Sequence, residues 1–532
     1  MYPKNRITLL ALTLVIAGSL SACGGNEGGD QYDSEGNLKI SMRNVYFESW
    51  SGGDTYLRDL EKKFDVAISP SSYSYDQWTQ LVTSDINGNN LTDVFHFNVT
   101  QFNFANTYMK WIKKNIIKPL PDDLSNWPNV KSLIDNSSYI NQMKIDGKLY
   151  GIPISRNKDK TDLEFASYTY LYRRDWAKEW GVYQENDEYT WEQFTNLLNV
   201  FNARLYASSR GSKFALVDVE WGFPSITNFY KTSPHCFAYK DGQYVSSFGS
   251  EEYITGLDLS KSYVSNNIYG YPQYTTTPEG GARKSYCSNN AGVLYENISL
   301  SNLQAVRTSL KTANGNNANF PLDEATAIMK VKGPDNMYSL EGAMNWFSMT
   351  LFNSDISDKK LNKILDLYDY LLSEEGTKLA VYGKKNYDYI EDEGGNISLT
   401  EDGWPIGSDG KYVKKVNGAK YLRYCLTLGN DYADVDPLTD QHAFSIFNTW
   451  QDEMVEASEN NELRIFKEEA EVMWLSSALK DRYEANLLSE ATASAIQYLY
   501  NKISKNTYLG NVTGGEWVTV LEEINDTLGK NL

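Results

Sequence analysis

From Leu38 to Phe97 the spacing of apolar residues changes again and again, and this alternation limits the fold more than any other feature of the chain. Leu38-Lys39-Ile40-Ser41-Met42 alternates as a strand does. Tyr56 to Phe64 then places Tyr56, Leu57, Leu60 and Phe64 on one helical face. Val66-Ala67-Ile68 is a second strand, and Asp76 to Ile86 a second helix with Trp78, Leu81 and Val82 apolar. Thr92 to Phe97 is a third strand. Parallel strands need a connection long enough to hold a helix, so this order predicts an α/β sheet with helices on both faces. Ligands of such sheets sit at the carboxyl ends of strands. The rule points to Trp50 in the first strand–helix loop and to His96 through Asn98. Packing is the alternative role for Trp50 and His96.

With 532 residues the chain is long enough for two or three units with real cores. A net charge of −19 opposes general nucleic-acid binding, which needs an excess of Lys and Arg. The aromatic count is high, with 13 Trp, 39 Tyr and 20 Phe. Cores and Tyr-rich surfaces account for most of these rings; a subset suits a sugar cleft, where flat apolar faces meet pyranose or furanose C–H groups.

The N-terminus reads as a targeting segment. Lys4 and Arg6 precede an apolar run, Ile7 to Ala17, too short to span a bilayer. Leu20-Ser21-Ala22-Cys23-Gly24 follows and matches a lipobox, so residues 1–22 are expected to be a signal peptide and Cys23 the lipidated residue. Residues 23–37 are Gly-rich and polar, a flexible tether. Cys236, Cys287 and Cys425 show no CxxC and no metal spacing, which predicts buried thiols; a Cys236–Cys287 bridge is the alternative.

Asp146-Gly147 marks a turn, because Gly supplies the positive φ that a tight turn needs. Leu149 to Ile154 is then extended, with Pro153 suited to an edge or crossing strand. Tyr168 to Tyr172 is the next apolar run. Thr190 and Gln193 form a capping-box pattern. Phe214 to Val219 leads to Trp221, a stacking candidate in a loop. Ala291 to Tyr295 is a strand that ends in Glu296. Ser357 is a fitting cap for a helix over 359–372 whose stripe is core. Trp346 falls just beyond the strand Thr326 to Val331. The chain from 452 to 505 reads as helix broken near Asn460-Asn461, and Glu516 to Leu528 as a last helix stopped by Gly529.

Five segments in order resemble one known family. They are TDVFHFN with its following helix, DGKLYGIPI, LYRRDWAKEWG, TWEQFTNLL and LSEEGTKLAVYG. The family is the extracellular solute-binding proteins, family 1, of bacterial ABC importers, of the large oligosaccharide-binding type related in fold to maltose-binding protein. The resemblance implies an α/β type II fold of two hinged lobes, 38–154 with 332–409 and 155–331 with 410–532. It implies a non-enzyme that takes an oligosaccharide between the lobes, delivers it to importer permease subunits, and works as a lipid-anchored monomer outside the membrane. By resemblance Tyr295 and Glu296 lie at the cleft, and a carboxylate there suits two hydroxyl hydrogen bonds. Trp50, Trp78, Asn98, Arg156, Trp221 and Trp346 complete the expected ligand-binding set, with Arg156 offering a forked pair of donors.

Large relatives often carry a calcium loop after the T-W-D-E-F helix. This chain reads NARLYASSRGSKFALVD there and lacks alternating oxygen ligands, so no metal and no cofactor is expected. Asp431, Asp434, Asp436 and Asp440 are read as a solvated loop. There is no GxSxG, HExxH or Walker motif, and His96, His235 and His442 are far apart. A surface carbohydrate hydrolase and a receptor for a non-sugar solute are the alternatives.

Overall fold

The computed structural model describes residues 30–98, 104–138, 140–155, 167–209, 213–218, 224–230, 236–270, 278–407, 412–413, 415–428, 433–466, 472, 475 and 478–529. The first strands in chain order are β1 (Leu38–Arg43), β2 (Val66–Ser71), β3 (Val94–Asn98) and β4 (Ile152–Ser155). Then follow β5 (Tyr168–Tyr172), β6 (Glu188–Tyr189), β7 (Phe214–Asp218), β8 (Phe237–Lys240), β9 (Gln243–Ser246), β10 (Tyr269–Gly270), β11 (Ala291–Asn297) and β12 (Ala327–Val331). The last are β13 (Tyr338–Glu341), β14 (Trp346–Phe352), β15 (Tyr389–Glu391), β16 (Ile397–Leu399) and β17 (Leu463–Phe466).

Two sheets organise the molecule. The first has the order β2-β1-β3-β14-β4, with β14 antiparallel to both neighbours. β4 is an edge, as the missing N–H of Pro153 requires. The second has the order β10-β7-β11-β5-β12-β6. Side chains of β5 alternate between its two faces: Tyr170 and Tyr172 enter one apolar core, Leu171 the other. Fully burying a large apolar side chain stabilises by roughly 1.5–3 kcal/mol, so covering both faces is what makes this sheet a core.

Local signals act as their chemistry predicts. Asp146 and Gly147 both have positive φ, 52° and 78°, and turn the chain between Ile145 and Lys148. The Thr190 and Gln193 side chains exchange bonds with each other's backbone N–H, at 3.3 and 2.9 Å, before the helix Trp191–Ser209. Ser357 accepts from the Lys360 N–H and starts the helix Asp358–Leu372, whose Leu361, Ile364, Leu365 and Tyr368 are buried. Gly529 at φ 64° follows the helix Glu516–Thr527. Cys236, Cys287 and Cys425 are buried thiols that are not joined in disulfides.

The chain passes between the lobes three times. Ser155 leaves the first sheet and Tyr168 enters the second. β13 lies beside β17 on the second lobe, and residues 342–345 lead from it to β14 in the first sheet. A third passage starts beside the first: the Ser155 N–H donates to the Leu426 carbonyl and the Leu428 N–H to the Ser155 carbonyl, both at 2.9 Å. The expected lobe boundaries are corrected here. Residues 332–341 go with the second lobe because β13 pairs with β17. Ala419, Tyr421, Leu422, Cys425 and Leu426 pack in the first core, so the return to the second lobe follows Leu428, not residue 410.

Candidate functional site

The end of the second sheet beside these passages is where β5 begins and where β11 and β12 end, since Tyr168 faces Asn297 and Tyr170 faces Met329. A partly open recess lies there. Its wall is aromatic: Tyr168 and Tyr295 are 6.0 Å apart between ring centroids, Tyr170 and Tyr295 5.0 Å, and Tyr170 is stacked on Phe229 at 6.3 Å. Trp191 packs edge-on against Phe229 at 5.0 Å and backs the wall. Polar groups are interleaved with the rings. Asn228 Nδ2 donates to the Tyr295 hydroxyl at 2.5 Å, and Thr169, Ser339 and Lys330 complete this part of the lining. Tyr338 and Trp450 stand on the side formed by β13 and the helix Gln441–Glu459.

Burial, then the Tyr170 ring and the Glu341 carboxylate, push the Tyr295 phenol well above its ordinary value. Burial does the same to Tyr170, and burial with the Glu188 hydrogen bond to Tyr338. These phenols are therefore neutral hydrogen-bond donors across the physiological range. Flat rings with a few fixed polar groups are the chemistry that holds a hydroxyl-rich, weakly apolar ligand.

The expected site residues are distributed unevenly around this recess. Tyr295 lines it. Glu296 does not, because neighbouring residues of a strand point to opposite faces. It is 1% exposed and ion-paired through two hydrogen bonds with Arg283. Trp50, 4% exposed, is stacked on Tyr421 at 5.2 Å and donates its indole N–H to Asp54 at 2.9 Å. Trp78 is 2% exposed and donates to the His96 carbonyl at 2.7 Å. Trp346 is 1% exposed and donates to the Ser138 carbonyl at 2.7 Å. All three indoles are core members of the first lobe in this structure, and none offers a free face to a ligand. Asn98 is half-buried at the carboxyl end of β3, opposite Ser348 of β14, at the end of the first sheet that adjoins the passages. Arg156 and Trp221 lie outside the described residues.

Sequence reasoning missed Tyr168, Asn228, Phe229, Tyr338 and Trp450. Tyr168 stands at the amino end of β5, which the carboxyl-end rule does not reach; it comes to the recess because β5 runs antiparallel to β11 and β12. Nothing local marks the others, which reach the recess through β13–β17 pairing and helix packing. Among the acidic loop residues, Asp436 pairs with Lys420 at 2.6 Å, and Asp440 caps the helix Gln441–Glu459 and binds Arg307 at 2.7 Å. No group of three potential metal-ligating side chains occurs among the described residues.

Solved structures share this architecture. An extracellular solute-binding protein from Bifidobacterium longum subsp. infantis superposes with a TM-score of 0.61 at 14% identity, over 93% of this chain and 96% of that one. The fold is that of the extracellular solute-binding proteins. An alginate-binding protein solved without calcium ion matches with a TM-score of 0.59 at 12% identity, over 92% of this chain and 96% of that one. An S. pneumoniae ABC-transporter substrate-binding protein in complex with kestose gives 0.54 at 14% identity, over 93% and 100%. These are two-lobe type II proteins, and the solute-binding fold covers both sheets of the present chain. No protein-family profile matches the sequence, and no curated protein sequence matches it.

Proposed function

We propose that the protein is the lipid-anchored receptor of an ABC importer, which captures an oligosaccharide between its lobes and hands it unaltered to the permease subunits. The observation that carries this reading is the aromatic and polar recess at the end of the second lobe beside the interlobe passages. A sugar held there by Tyr168, Tyr295 and Asn228 is closed over by the first lobe through hinge motion at the three passages. Closure removes water and strengthens each polar contact. The kestose-bound neighbour supports a saccharide as cargo. The lipobox at Cys23 supports tethering to the outer face of a membrane, and no described helix is long and apolar enough to cross one. Anchoring by lipid, action as a monomer and the absence of catalysis are parts of this proposal.

The charge arrangement favours a receptor over a hydrolase. A glycosidase needs one carboxyl kept protonated and a second ionised beside the scissile bond. Here Glu296 is bound by Arg283 and Glu453 by Lys330, while Asp218 accepts from the Ser225 N–H and hydroxyl at 2.7 and 2.9 Å and from the Tyr269 hydroxyl. The test is calorimetry on the purified chain from Asp30 onward, which holds every described element, with neutral oligosaccharides, followed by analysis of the sugars. Tight binding with intact sugar is expected. Cleavage products, or no binding of any saccharide, would overturn the reading. In cells, Cys23→Ser is expected to release the protein from the membrane fraction.

A further inference from the structure

Resting on that receptor reading, we infer that the recess selects uncharged saccharides and that Glu341 is the carboxylate that holds their hydroxyls. An acidic sugar needs a cation free to meet it. Lys330, which lines the recess, has its ammonium 2.8 Å from Glu453. Lys332 lies 2.9 Å from Glu462 and 3.2 Å from Glu188. Arg464 is 2.8 Å from Asp335 and also donates to the Phe229 carbonyl and the Ser339 hydroxyl, each at 3.0 Å. Arg283 is held by Glu296 on the other face of β11. Each of these cations already has at least one carboxylate partner, so an acidic sugar must compete with that carboxylate for it.

Glu341 is the opposite case. It is the last residue of β13 and follows the lining residues Ser339 and Leu340. It is half-buried, and no cation pairs with it among the described residues. The next N–H, of Gly342, donates to the Phe466 carbonyl at 2.5 Å and pins the strand end from which residues 342–345 pass to the first lobe. The carboxylate is close enough to Tyr295 to disfavour its ionisation. A carboxylate is an acceptor only: two oxygens take two sugar hydroxyls at once and repel a ligand carboxylate at the same place. The role that sequence reasoning gave to Glu296 thus passes to a residue on the same face of β13 as the lining Ser339, two positions beyond it.

The test titrates the same purified chain with neutral fructo-, xylo- and manno-oligosaccharides of three to six units, and with mannuronate and galacturonate oligomers of the same lengths. A neutral sugar is expected to bind at least about 100-fold more tightly than any uronate, the ratio that a like-charge contact of a few kcal/mol gives. Glu341→Gln, with thermal unfolding checked to be unchanged, is expected to weaken the neutral sugar about tenfold, the loss of one charge-assisted hydrogen bond, and to narrow the gap. A uronate oligomer that binds as tightly as the best neutral sugar overturns the inference and leaves the receptor reading intact. An unchanged neutral affinity and an unchanged gap in Glu341→Gln overturn the assignment to Glu341. Failure of both kinds of saccharide to bind removes the receptor reading, and this inference with it.

Discussion

At the passage-side end of the first lobe, Trp50, Trp78 and Trp346 are buried, and their indole N–H groups are committed to Asp54, His96 and Ser138. At the matching end of the second lobe, Tyr168, Tyr295 and Asn228 are only half-buried and line an open recess. Both ends are rich in rings and both lie where strand ends predict a ligand. The difference is in what the ring polar groups already do. A tryptophan N–H that is paired inside a core fixes that ring as structure, whereas a phenol at a recess edge keeps lone pairs and a ring face for a ligand. Chain position alone does not separate the two cases.

The contrast is broken most directly by Trp346→Ala. A core role predicts a stability loss of about 3–5 kcal/mol in denaturant unfolding, from lost burial and the cavity left behind. Unchanged stability with a collapse of sugar affinity would make Trp346 a ligand residue and erase the difference between the lobes. Tyr295→Ala is expected to do the reverse: calorimetry should show sugar affinity weakened by about 1–3 kcal/mol, the range for stacking of aromatic rings on flat ligands. If its loss falls on stability alone, the ring is a wall of the core and not of the site.

His96 sharpens the comparison from the buried side. Its imidazole is fully enclosed, 4.2 Å from the Trp78 ring and 5.6 Å from the Tyr46 ring, and burial holds it well below its usual 6.5. The folded chain therefore stays neutral here while the unfolded chain takes up a proton. The contribution is fully present above the unfolded value and is lost as pH falls below about 6.5, with a slope of at most about 1.4 kcal/mol per pH unit. Stability measured between pH 7 and 5 should fall less steeply in His96→Phe than in the parent. Equal slopes would mean that His96 is reached by water, as a cleft residue would be. The smallest effect is expected at Thr190→Ala, about 1 kcal/mol of stability from loss of the cap before the helix Trp191–Ser209, whose Trp191 backs the recess through Phe229. A loss of sugar affinity larger than this would show that the cap positions the recess wall.

Much of the fold was legible in the chain because its signals are short-ranged. The alternation of β1 and β2, the helix face of Tyr56, Leu57 and Leu60, the turn at Asp146-Gly147 and the caps at Thr190 and Ser357 each depend on residues within one or two turns of each other. Their chemistry is complete before the chain packs. The recess was legible only in part. Tyr295 and Glu296 were both expected at the cleft by family resemblance; Tyr295 lines the recess, whereas Glu296, one residue on along the strand, points to the other face. The pairing of Arg283 with Glu296 joins residues 13 apart in sequence, and Lys330 meets Glu453 across 123. No local pattern announces either.

The amino-acid order by itself determined an α/β chain of alternating strands and helices, since periodicity, caps and turns are properties of neighbours. The tertiary structure alone decided which rings are core and which are open, which cations are neutralised, and that β13 belongs with β17. Those outcomes depend on which surfaces meet across hundreds of residues, where burial fixes whether a polar group has a partner or waits for one.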